Sequence, residues 1–335
     1  MEKLRKTIYI IICIIAIIAV SFTFLSILRN TDNRFLKMLD FPRIQFFIVL
    51  LSSIILFTVY TRKWKWYDYL LIMGLAVGII IQGIYLIQYT TFITKTVSTA
   101  KEQDSATDDQ ISVLLVNVKM KNRTAQLLLN TIELKDPDLI ITMEIDDWWV
   151  NQLKAIEGEY KFTQKMPNNV AYGMCLYSKF PLENSKVNYL QNKRVPSFEN
   201  TIQLENGNRF ILHSIHPVPP TLFEDLPDNE GEKEVTLMKI GEKVKMSNLP
   251  AIVAGDINDV SWGATDELTH TENLLYDIRV GRGFFNSYNA NNLLMRWPLD
   301  HFLVTKEFRV IALERMPNIG SDHFPIYSKF SLSPE

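Results

Sequence analysis

Three long stretches without a charged residue occupy the first third of the chain. They run over residues 7–28, 44–61 and 69–94 and contain 22, 18 and 26 residues. A helix needs about 17–25 apolar residues to cross the hydrocarbon core of a bilayer. The sequence therefore predicts three transmembrane helices and excludes a wholly soluble protein. The predicted domains are a three-span membrane anchor over residues 1–94, a linker over 95–110 and a larger domain over 111–335.

The first stretch could also be a signal peptide, since Lys3, Arg5 and Lys6 precede it. Its length exceeds the usual 7–15 apolar residues and no clear cleavage site follows, which favours a retained span. With the N-terminus inside, six basic residues flank the spans on each side, so the positive-inside rule does not fix the orientation. No acid or base lies within the stretches, which argues against a transporter or a proton relay.

The two parts of the chain differ in charge. Residues 1–109 hold 12 Lys and Arg against 8 Asp and Glu, and residues 110–335 hold 23 against 29, so the larger domain carries a net charge of −6. Non-specific binding of long nucleic acid depends on neutralising phosphates with Lys and Arg, so this balance disfavours it. Cys13 and Cys175 lie in different parts, which excludes a disulfide within either.

The larger domain alternates short apolar runs with two helical patterns. Helices are predicted over 123–135 and 232–246 from apolar residues at helical spacing, and Asn206-Gly207 indicates a hairpin turn. The pattern predicts an α/β fold with two mixed sheets face to face and helices outside. Strands are predicted over residues 111–118, 139–143, 171–177, 201–204, 210–215, 251–254, 302–304 and 326–330.

The strongest local motif follows the apolar run at 251–254. It reads Gly255-Asp-Ile-Asn258, and residues two apart on an extended segment point to the same side. A carboxylate beside an amide suits a phosphate-ester site, where one group orients water or binds metal and the other donates to a phosphoryl oxygen. An ordinary turn also favours this composition, so the motif alone leaves both interpretations open.

Further candidate residues lie at the ends of other predicted strands. Asp322 and His323 stand in Ser321-Asp-His-Phe-Pro325, where the pair could serve a metal and a base or form a turn with a capping aspartate. Asp300 begins the strand before Val304, His216 follows the run at 210–215, and Glu144 follows the run at 139–143.

Together these residues resemble the endonuclease/exonuclease/phosphatase superfamily over about residues 111–332. The segment from Gly173 to Leu182 is similar to the family's "G-x-x-x-x-S-R-x-P-L" strand, with Lys179 in place of the usual arginine. The remaining matches occur in the family's order at Asn117, Glu144, His216, Asp256 with Asn258, Asp300, and Asp322 with His323.

The resemblance implies a four-layer α/β sandwich after the three transmembrane helices. It also implies a magnesium ion, or manganese, bound by Glu144, Asp322 and Asn117. His323 oriented by Asp300 would be the general base, or Asp256 would orient or deprotonate the water, and these alternatives stay open. Asn258 and His216 would hydrogen-bond the phosphoryl oxygens.

The family's substrates are phosphate esters. The candidate substrates of this chain are nucleic acid, a phospholipid head group and a small phosphate ester. The bond cleaved would be that of a phosphodiester or a phosphomonoester. The segments 215–220 and 281–283 most resemble a bacterial branch with N-terminal spans, whose catalytic domain is expected outside the cytoplasmic membrane. A catalytically inactive adaptor or sensor with the same fold is the alternative.

Three other histidines receive no catalytic role. His213 shares a face with Ile211 and Ile215 and is expected to pack in the domain, and His301 is expected to be structural or to support Asp300. His270 stands in a polar segment. Residues 217–234, together with Trp262, are where we expect substrate specificity to arise.

Overall fold

The computed structural model describes residues 2–28, 33–100, 109–190, 192–219, 232–263 and 271–333. It contains two compact units, one of residues 1–93 with 262–264 and one of residues 94–261 with 265–335. Trp262 is thus grouped with the first unit. Parts of two predicted segments, residues 101–108 and 220–231, and also His270, lie outside the described residues.

The first unit contains three long apolar helices, α1 (Glu2–Leu25), α3 (Arg43–Tyr60) and α4 (Trp66–Ile87), with the short helix α2 (Arg34–Lys37) between the first two. Each long helix has the length and composition to cross a membrane. Gly78 of α4 faces the side chain of Leu50, and its missing Cβ lets α4 approach α3 closely. The prediction of three long apolar helices is confirmed.

Arg43, at the start of α3, is fully buried within this unit. Its guanidinium donates to the Asp40 carboxylate at 2.9 Å, to the Ser26 carbonyl at 3.0 Å and to Gln82 Oε1 at 3.0 Å. The Tyr85 ring centroid lies 3.8 Å from its Cζ atom. A buried charge is tolerated when a counter-charge and hydrogen bonds match it, so this flanking arginine is part of the packing of the helices.

The second unit consists of twelve strands and three helices among its described residues. The helices are α5 (Ala125–Lys135), α6 (Asp147–Leu153) and α7 (Glu232–Met246). The strands are β1 (Gln110–Asn117), β2 (Leu139–Met143), β3 (Phe162–Met166), β4 (Met174–Ser178), β5 (Leu182–Asn188), β6 (Ser197–Gln203), β7 (Arg209–Ser214), β8 (Ala251–Asp256), β9 (Tyr276–Asp277), β10 (Asp300–Val304), β11 (Phe308–Arg315) and β12 (Ile326–Leu332).

These strands form two six-stranded mixed sheets. The first has the order β11-β12-β1-β2-β4-β3 and the second β5-β6-β7-β8-β10-β9. Within them β1 pairs with β2 and β7 pairs with β8 in parallel, while the other pairs are antiparallel. Parallel neighbours end at the same edge of a sheet, so residues that follow them come together.

The buried apolar residues form three clusters, one between the two sheets and one on the outer face of each sheet. Ile141 and Phe330 of the first sheet and Leu212 and Phe302 of the second belong to one cluster, which fills the space between the sheets. A second cluster joins α5 and α6 to the outer face of the first sheet, and a third joins α7 to that of the second. The structure is therefore a four-layer α/β sandwich, as predicted.

Several elements differ from the sequence-based expectation. Strands β3, β5, β9 and β11 and the helix α6 were not predicted. Of these, β3 and β5 are partly exposed edge strands with polar sequences, so they carry little apolar periodicity. The expected linker is partly structured: Val97 is buried in the core between the sheets, and the Ala100 amide donates to the Val310 carbonyl at 3.1 Å. A single buried valine leaves no periodic signal in a polar segment.

Candidate active site

The candidate site lies at the carboxyl ends of two parallel strand pairs, one in each sheet. Asn117 ends β1, and Glu144 directly follows its neighbour β2. In the second sheet Asp256 ends β8, and His216 lies two residues beyond the end of β7. The Asn117 amide nitrogen donates to Asp256 Oδ2 at 3.0 Å, which joins the two sheets at this point.

Gly255 explains how the strand ends approach each other. A Cβ atom at this position would overlap the backbone carbonyl of Ile215. The Ile215 amide donates to the Ala254 carbonyl at 3.1 Å, so the segment that carries His216 runs against the end of β8. Only glycine allows this approach, which gives the first residue of the Gly-Asp-Ile-Asn motif a structural reason.

Asp256 is the central residue of the site and is almost fully buried. Besides the Asn117 amide, its Oδ2 atom has His323 Nε2 at 3.5 Å and His216 Nε2 at 3.8 Å. Its Oδ1 atom accepts a hydrogen bond from the Asn258 backbone amide at 3.0 Å. One carboxylate thus faces an amide, two imidazole rings and a backbone N–H.

His323 stands between two buried carboxylates. Its Nδ1 atom lies 2.7 Å from Asp300 Oδ2, while its Nε2 atom faces Asp256. Asp300 and Asp256 are opposite each other in the antiparallel pair of β10 and β8. Asp300 is therefore placed to orient the imidazole through this contact.

Ser321 fixes the turn that delivers His323. Its hydroxyl donates to the Asn117 carbonyl at 2.8 Å and accepts from the His323 backbone amide at 3.0 Å. The carboxylate of Asp322 pairs with the Lys119 ammonium at 2.8 Å. The segment does form a turn, but the side chain that stabilises it is that of Ser321. Asp322 instead pairs with Lys119.

Burial and neighbouring charges shift the pKa values of these groups strongly. Burial raises the pKa of Asp256 to about 7, although His323 and Asn117 favour its ionised form. Burial alone would lower the pKa of His323, but Asp300 and Asp256 more than offset this and raise it to about 10. Burial also lowers the pKa of His216 to about 3 and raises that of Glu144. At neutral pH His323 is cationic and His216 is neutral.

Two groupings could bind a divalent metal. Glu144 is half-buried, with a pKa that desolvation raises, and Asp322 and Lys119 are its electrostatic neighbours. Carboxylate oxygens are the ligands that a hard cation such as Mg²⁺ prefers. The Lys119 ammonium pairs with the Asp322 carboxylate, which shows that the negative charge here attracts a cation. Asp256, Asp300 and His323 form the second grouping, with ligand atoms within 4.8 Å of one another. We favour the first, since His323 and Asp300 already bond to each other.

The two asparagines expected at the site are held by hydrogen bonds. Asn117 donates its amide nitrogen to Glu144 Oε1 at 2.9 Å as well as to Asp256, and its oxygen accepts from the Lys119 backbone amide. The orientation differs from that expected of a metal ligand, because the amide oxygen faces the backbone. The Asn258 amide nitrogen donates to the Pro217 carbonyl at 2.9 Å, which leaves one of its two N–H groups for another acceptor.

Three residues near the site were missed in the sequence. Lys119 lies two residues after Asn117, a spacing that could have placed both on one side of an extended segment. The ring of Tyr288 lies 5.0 Å from that of His323, and the ring of Tyr172 lies 5.2 Å from that of His216. No motif marks the tyrosines. Lys119, like Glu144, has a positive φ of 55°, a conformation often found at functional sites.

The other histidines do not join the site. His213 lies opposite Glu199 in the pairing of β7 with β6 and is buried, which lowers its pKa to about 4. His301 Nε2 lies 2.8 Å from the Asp259 carbonyl, a structural contact. The structure thus brings the eight predicted residues to one region and leaves these two histidines outside it.

The sequence model of the Endonuclease/Exonuclease/phosphatase family matches residues 114–323, more than half of the chain. The chain belongs to this family. Members of the family are phosphoesterase hydrolases such as nucleases and phosphatases, and they generally depend on a divalent metal. No curated protein matches the chain in sequence.

Solved structures of the family share the fold of the second unit. D. rerio TDP2 complexed with a single-strand DNA product is 17% identical, covers 66% of this chain and 99% of its own, and has a TM-score of 0.55. A family protein from Bacteroides thetaiotaomicron is 17% identical over 67% and 95%, with a TM-score of 0.52. The human Nocturnin catalytic domain with bound sulfate is 18% identical over 68% and 96%, with a TM-score of 0.50.

Proposed function

We propose that this family member is a divalent-metal-dependent phosphoesterase held at a membrane by its three N-terminal helices. The reaction is hydrolysis of a phosphodiester or a phosphomonoester. The observation that carries the proposal is the environment of Asp256. This buried carboxylate faces Asn117 and the imidazoles of His323 and His216. The other ring nitrogen of His323, Nδ1, contacts the Asp300 carboxylate.

Asp256 is the general base in this proposal. A base works best when its pKa lies near the working pH, and burial raises the pKa of Asp256 to about 7. Its Oδ1 atom is held by the Asn258 backbone amide, so the carboxylate is oriented. Asp256 accepts the proton of the attacking water. Of the two alternatives that the sequence leaves open, the proposal takes Asp256.

His323 has the complementary role. Asp300 and Asp256 keep it protonated, so its Nε2–H can donate to a phosphoryl oxygen as negative charge grows there. His216, whose Nε2 atom also faces Asp256, and the second N–H of Asn258 are proposed to bind phosphoryl oxygens too. Asn117 donates to both Glu144 and Asp256 and is proposed to position these two carboxylates rather than to bind the metal through its oxygen.

Glu144 and Asp322 are proposed to hold Mg²⁺, for which Mn²⁺ could substitute. Both offer carboxylate oxygens, which these ions prefer. When bound, the ion would supply Lewis-acid stabilisation of the negative charge that develops on the phosphate ester. Lys119, which pairs with Asp322 at 2.8 Å, would have to share that carboxylate with the metal.

The test uses the purified full chain in detergent with magnesium or manganese. Substrates are bis-4-nitrophenyl phosphate, 4-nitrophenyl phosphate, plasmid DNA and phospholipid vesicles. We expect wild type to cleave at least one, and Asp256→Asn to lower kcat by about 10²–10⁴. The matched control is Asp138→Asn, whose carboxylate binds the Ser112 amide at the opposite end of β2. No cleavage by wild type would favour an inactive adaptor or sensor.

Location and substrate form part of the same proposal. The net charge of −6 in residues 110–335 disfavours long DNA and favours a phospholipid head group or a small phosphate ester. The domain is proposed to lie outside the cytoplasmic membrane. Alkaline phosphatase and fluorescent-protein fusions after Ala100 test this, since phosphatase is active only outside and most fluorescent proteins fold only inside. A fluorescent fusion without phosphatase activity would contradict the placement.

A further inference from the structure

A loop beside the candidate active site presents three consecutive apolar side chains to solvent. The loop covers residues 289–296, and its tip is Leu293-Leu294-Met295. These three side chains are 75%, 77% and 46% exposed. Among the other described residues of the second unit, no two exposed large apolar residues are adjacent in sequence. Single exposed leucines are ordinary, whereas a continuous exposed apolar patch marks an interaction surface.

The base of the 289–296 loop adjoins the candidate site. The Ala290 amide donates to the Asp322 carbonyl at 2.7 Å, and the ring of Tyr288 lies 5.0 Å from that of His323. At the other end of the loop, the Arg296 guanidinium donates to the Ala290 carbonyl at 3.1 Å. The loop is therefore attached to the turn that carries Asp322 and His323, and a partner bound at its tip would lie near that turn.

Much of the backbone of the tip is hydrogen-bonded within the loop. The side-chain oxygen of Asn292 accepts from the Leu294 amide at 3.0 Å and from the Met295 amide at 3.3 Å. The Asn289 amide donates to the Met295 carbonyl at 3.1 Å, and the side-chain oxygen of Asn289 accepts from the Asn291 amide at 2.8 Å. Unsatisfied backbone groups are costly in lipid, so these internal bonds reduce the cost of moving the tip out of water.

Two arginines lie at the base of the loop. The Cζ atoms of Arg296 and Arg315 are 4.9 and 4.6 Å from the centroid of the Phe324 ring. Both guanidiniums donate to backbone carbonyls, and neither pairs with a carboxylate among the described residues. They form a local positive site in a domain whose net charge is −6. An apolar tip above a positive base complements a bilayer surface, where acyl chains lie beneath anionic head groups.

We propose that the 289–296 loop is a lipid-docking loop, whose apolar tip enters the surface of an anionic bilayer while Arg296 and Arg315 contact lipid phosphates. The inference rests on the membrane location in the proposed function. A domain joined to spanning helices stays near the bilayer, so a loop of modest affinity is sufficient. Docking would hold the turn of Asp322 and His323 at the level of the head groups, which favours a lipid phosphate ester among the candidate substrates.

The test measures the surroundings of the tip in the full chain, reconstituted in lipid nanodiscs. Cys13 is replaced by alanine, and Cys175 is fully buried and therefore inert to a thiol label. An environment-sensitive fluorophore is attached at Leu293→Cys. Lipids with a nitroxide on the acyl chain should quench it, and aqueous iodide should not, because an inserted apolar surface lies about 5–10 Å within the boundary of head groups and acyl chains. The matched control is a fluorophore at Leu134→Cys on α5, where the leucine is 71% exposed, and there only iodide should quench.

Substitutions separate the contributions of the tip and of the arginines. Leu294→Asn with Met295→Asn removes most of the apolar surface and should lower the ratio of inserted to free loop at least about tenfold. Arg315→Gln should lower this ratio about fivefold in discs that contain phosphatidylglycerol and leave it unchanged in pure phosphatidylcholine. The replaced side chains are exposed, so the variants should keep the wild-type Tm. An equal ratio in the two kinds of disc for the chain with Arg315 would overturn the contact with anionic lipid.

Three results at the tip would overturn the proposal. The first is quenching by iodide at Leu293→Cys without quenching by the nitroxide lipids. The second is protection from both quenchers, which would indicate a protein partner or a second copy of this chain. The third is unchanged lipid quenching in Leu294→Asn with Met295→Asn, which would show that the fluorophore itself enters the lipid. Failure of the proposed function would appear separately, as a chain that does not incorporate into nanodiscs or as absence of cleavage in the substrate panel.

Discussion

Asp300→Asn removes one negative charge from the buried group formed by Asp300, His323 and Asp256. Asp300 Oδ2 lies 2.7 Å from His323 Nδ1, and both side chains are nearly inaccessible to solvent. Asparagine has almost the same size and its oxygen can still accept the Nδ1–H hydrogen bond. The substitution therefore changes the charge beside the imidazole and little else.

The expected effect on the pKa of His323 is a fall of about two units. At 2.7 Å and an effective dielectric constant of about 20, two unit charges interact by about 6 kcal/mol, which is an upper limit. The pKa of His323 rises from its ordinary value of 6.5 to about 10, and Asp300 and Asp256 share this rise. Asp300 is the nearer, so we assign to it about two units, or about 2.7 kcal/mol. The pKa should fall to about 8.

The assay is the pH dependence of kcat/KM between pH 5 and 11. The proposed mechanism needs Asp256 ionised and His323 protonated, so activity should rise near pH 7 and fall near pH 10. A group whose protonated form is required loses its contribution as pH rises through its pKa. In Asp300→Asn the alkaline limb should therefore move down to about pH 8. The acid limb should move down slightly, since Asp300 also raises the pKa of Asp256.

The opposite assignment of His323 gives the opposite result. If neutral His323 were the general base, activity in wild type would increase up to about pH 10, and Asp300→Asn would be more active than wild type at pH 7.5. Either that result or an unmoved alkaline limb would refute the reasoning. Asp138→Asn is again the control, because it removes the charge of a half-buried, hydrogen-bonded aspartate at the other end of β2.

Three other substitutions follow from the site's geometry. Glu144→Gln should raise the metal-free Tm at pH 8 by about 2–4 °C. Burial raises the pKa of Glu144, so the stability that this residue contributes when protonated is lost as pH rises through that pKa. The variant should also show no Tm increase on adding magnesium, and a metal-free Tm below that of wild type would contradict the argument. Lys119→Met should lower the Kd for magnesium about tenfold in calorimetry, because the ammonium no longer competes for the Asp322 carboxylate. A higher Kd than that of wild type would instead show that Lys119 organises the site. Gly255→Ala should destabilise the fold by about 3 kcal/mol in urea unfolding followed by circular dichroism, and Gly158→Ala, whose Cβ would contact nothing within 4 Å, should not.

The sequence identified the strand ends because local signals mark them. Asn117, Glu144 and Asp256 each follow a run of fully buried apolar residues, and such runs are visible without knowledge of the fold. The edge strand β5 was missed because its residues are mostly exposed and polar. Its position depends on pairing with β6, which the residues of β5 alone do not indicate.

The distances within the site could not be predicted, because they arise from contacts between residues far apart in the chain. Asn117 and Asp256 belong to different sheets and are separated by 139 positions, yet their hydrogen bond helps to set the environment of the central carboxylate. Whether Asp256 or His323 is the base depends on their pKa values, and these depend on a few distances between buried charges. The motif can supply the residue types, but the division of acid and base between them follows from the packing of the two sheets.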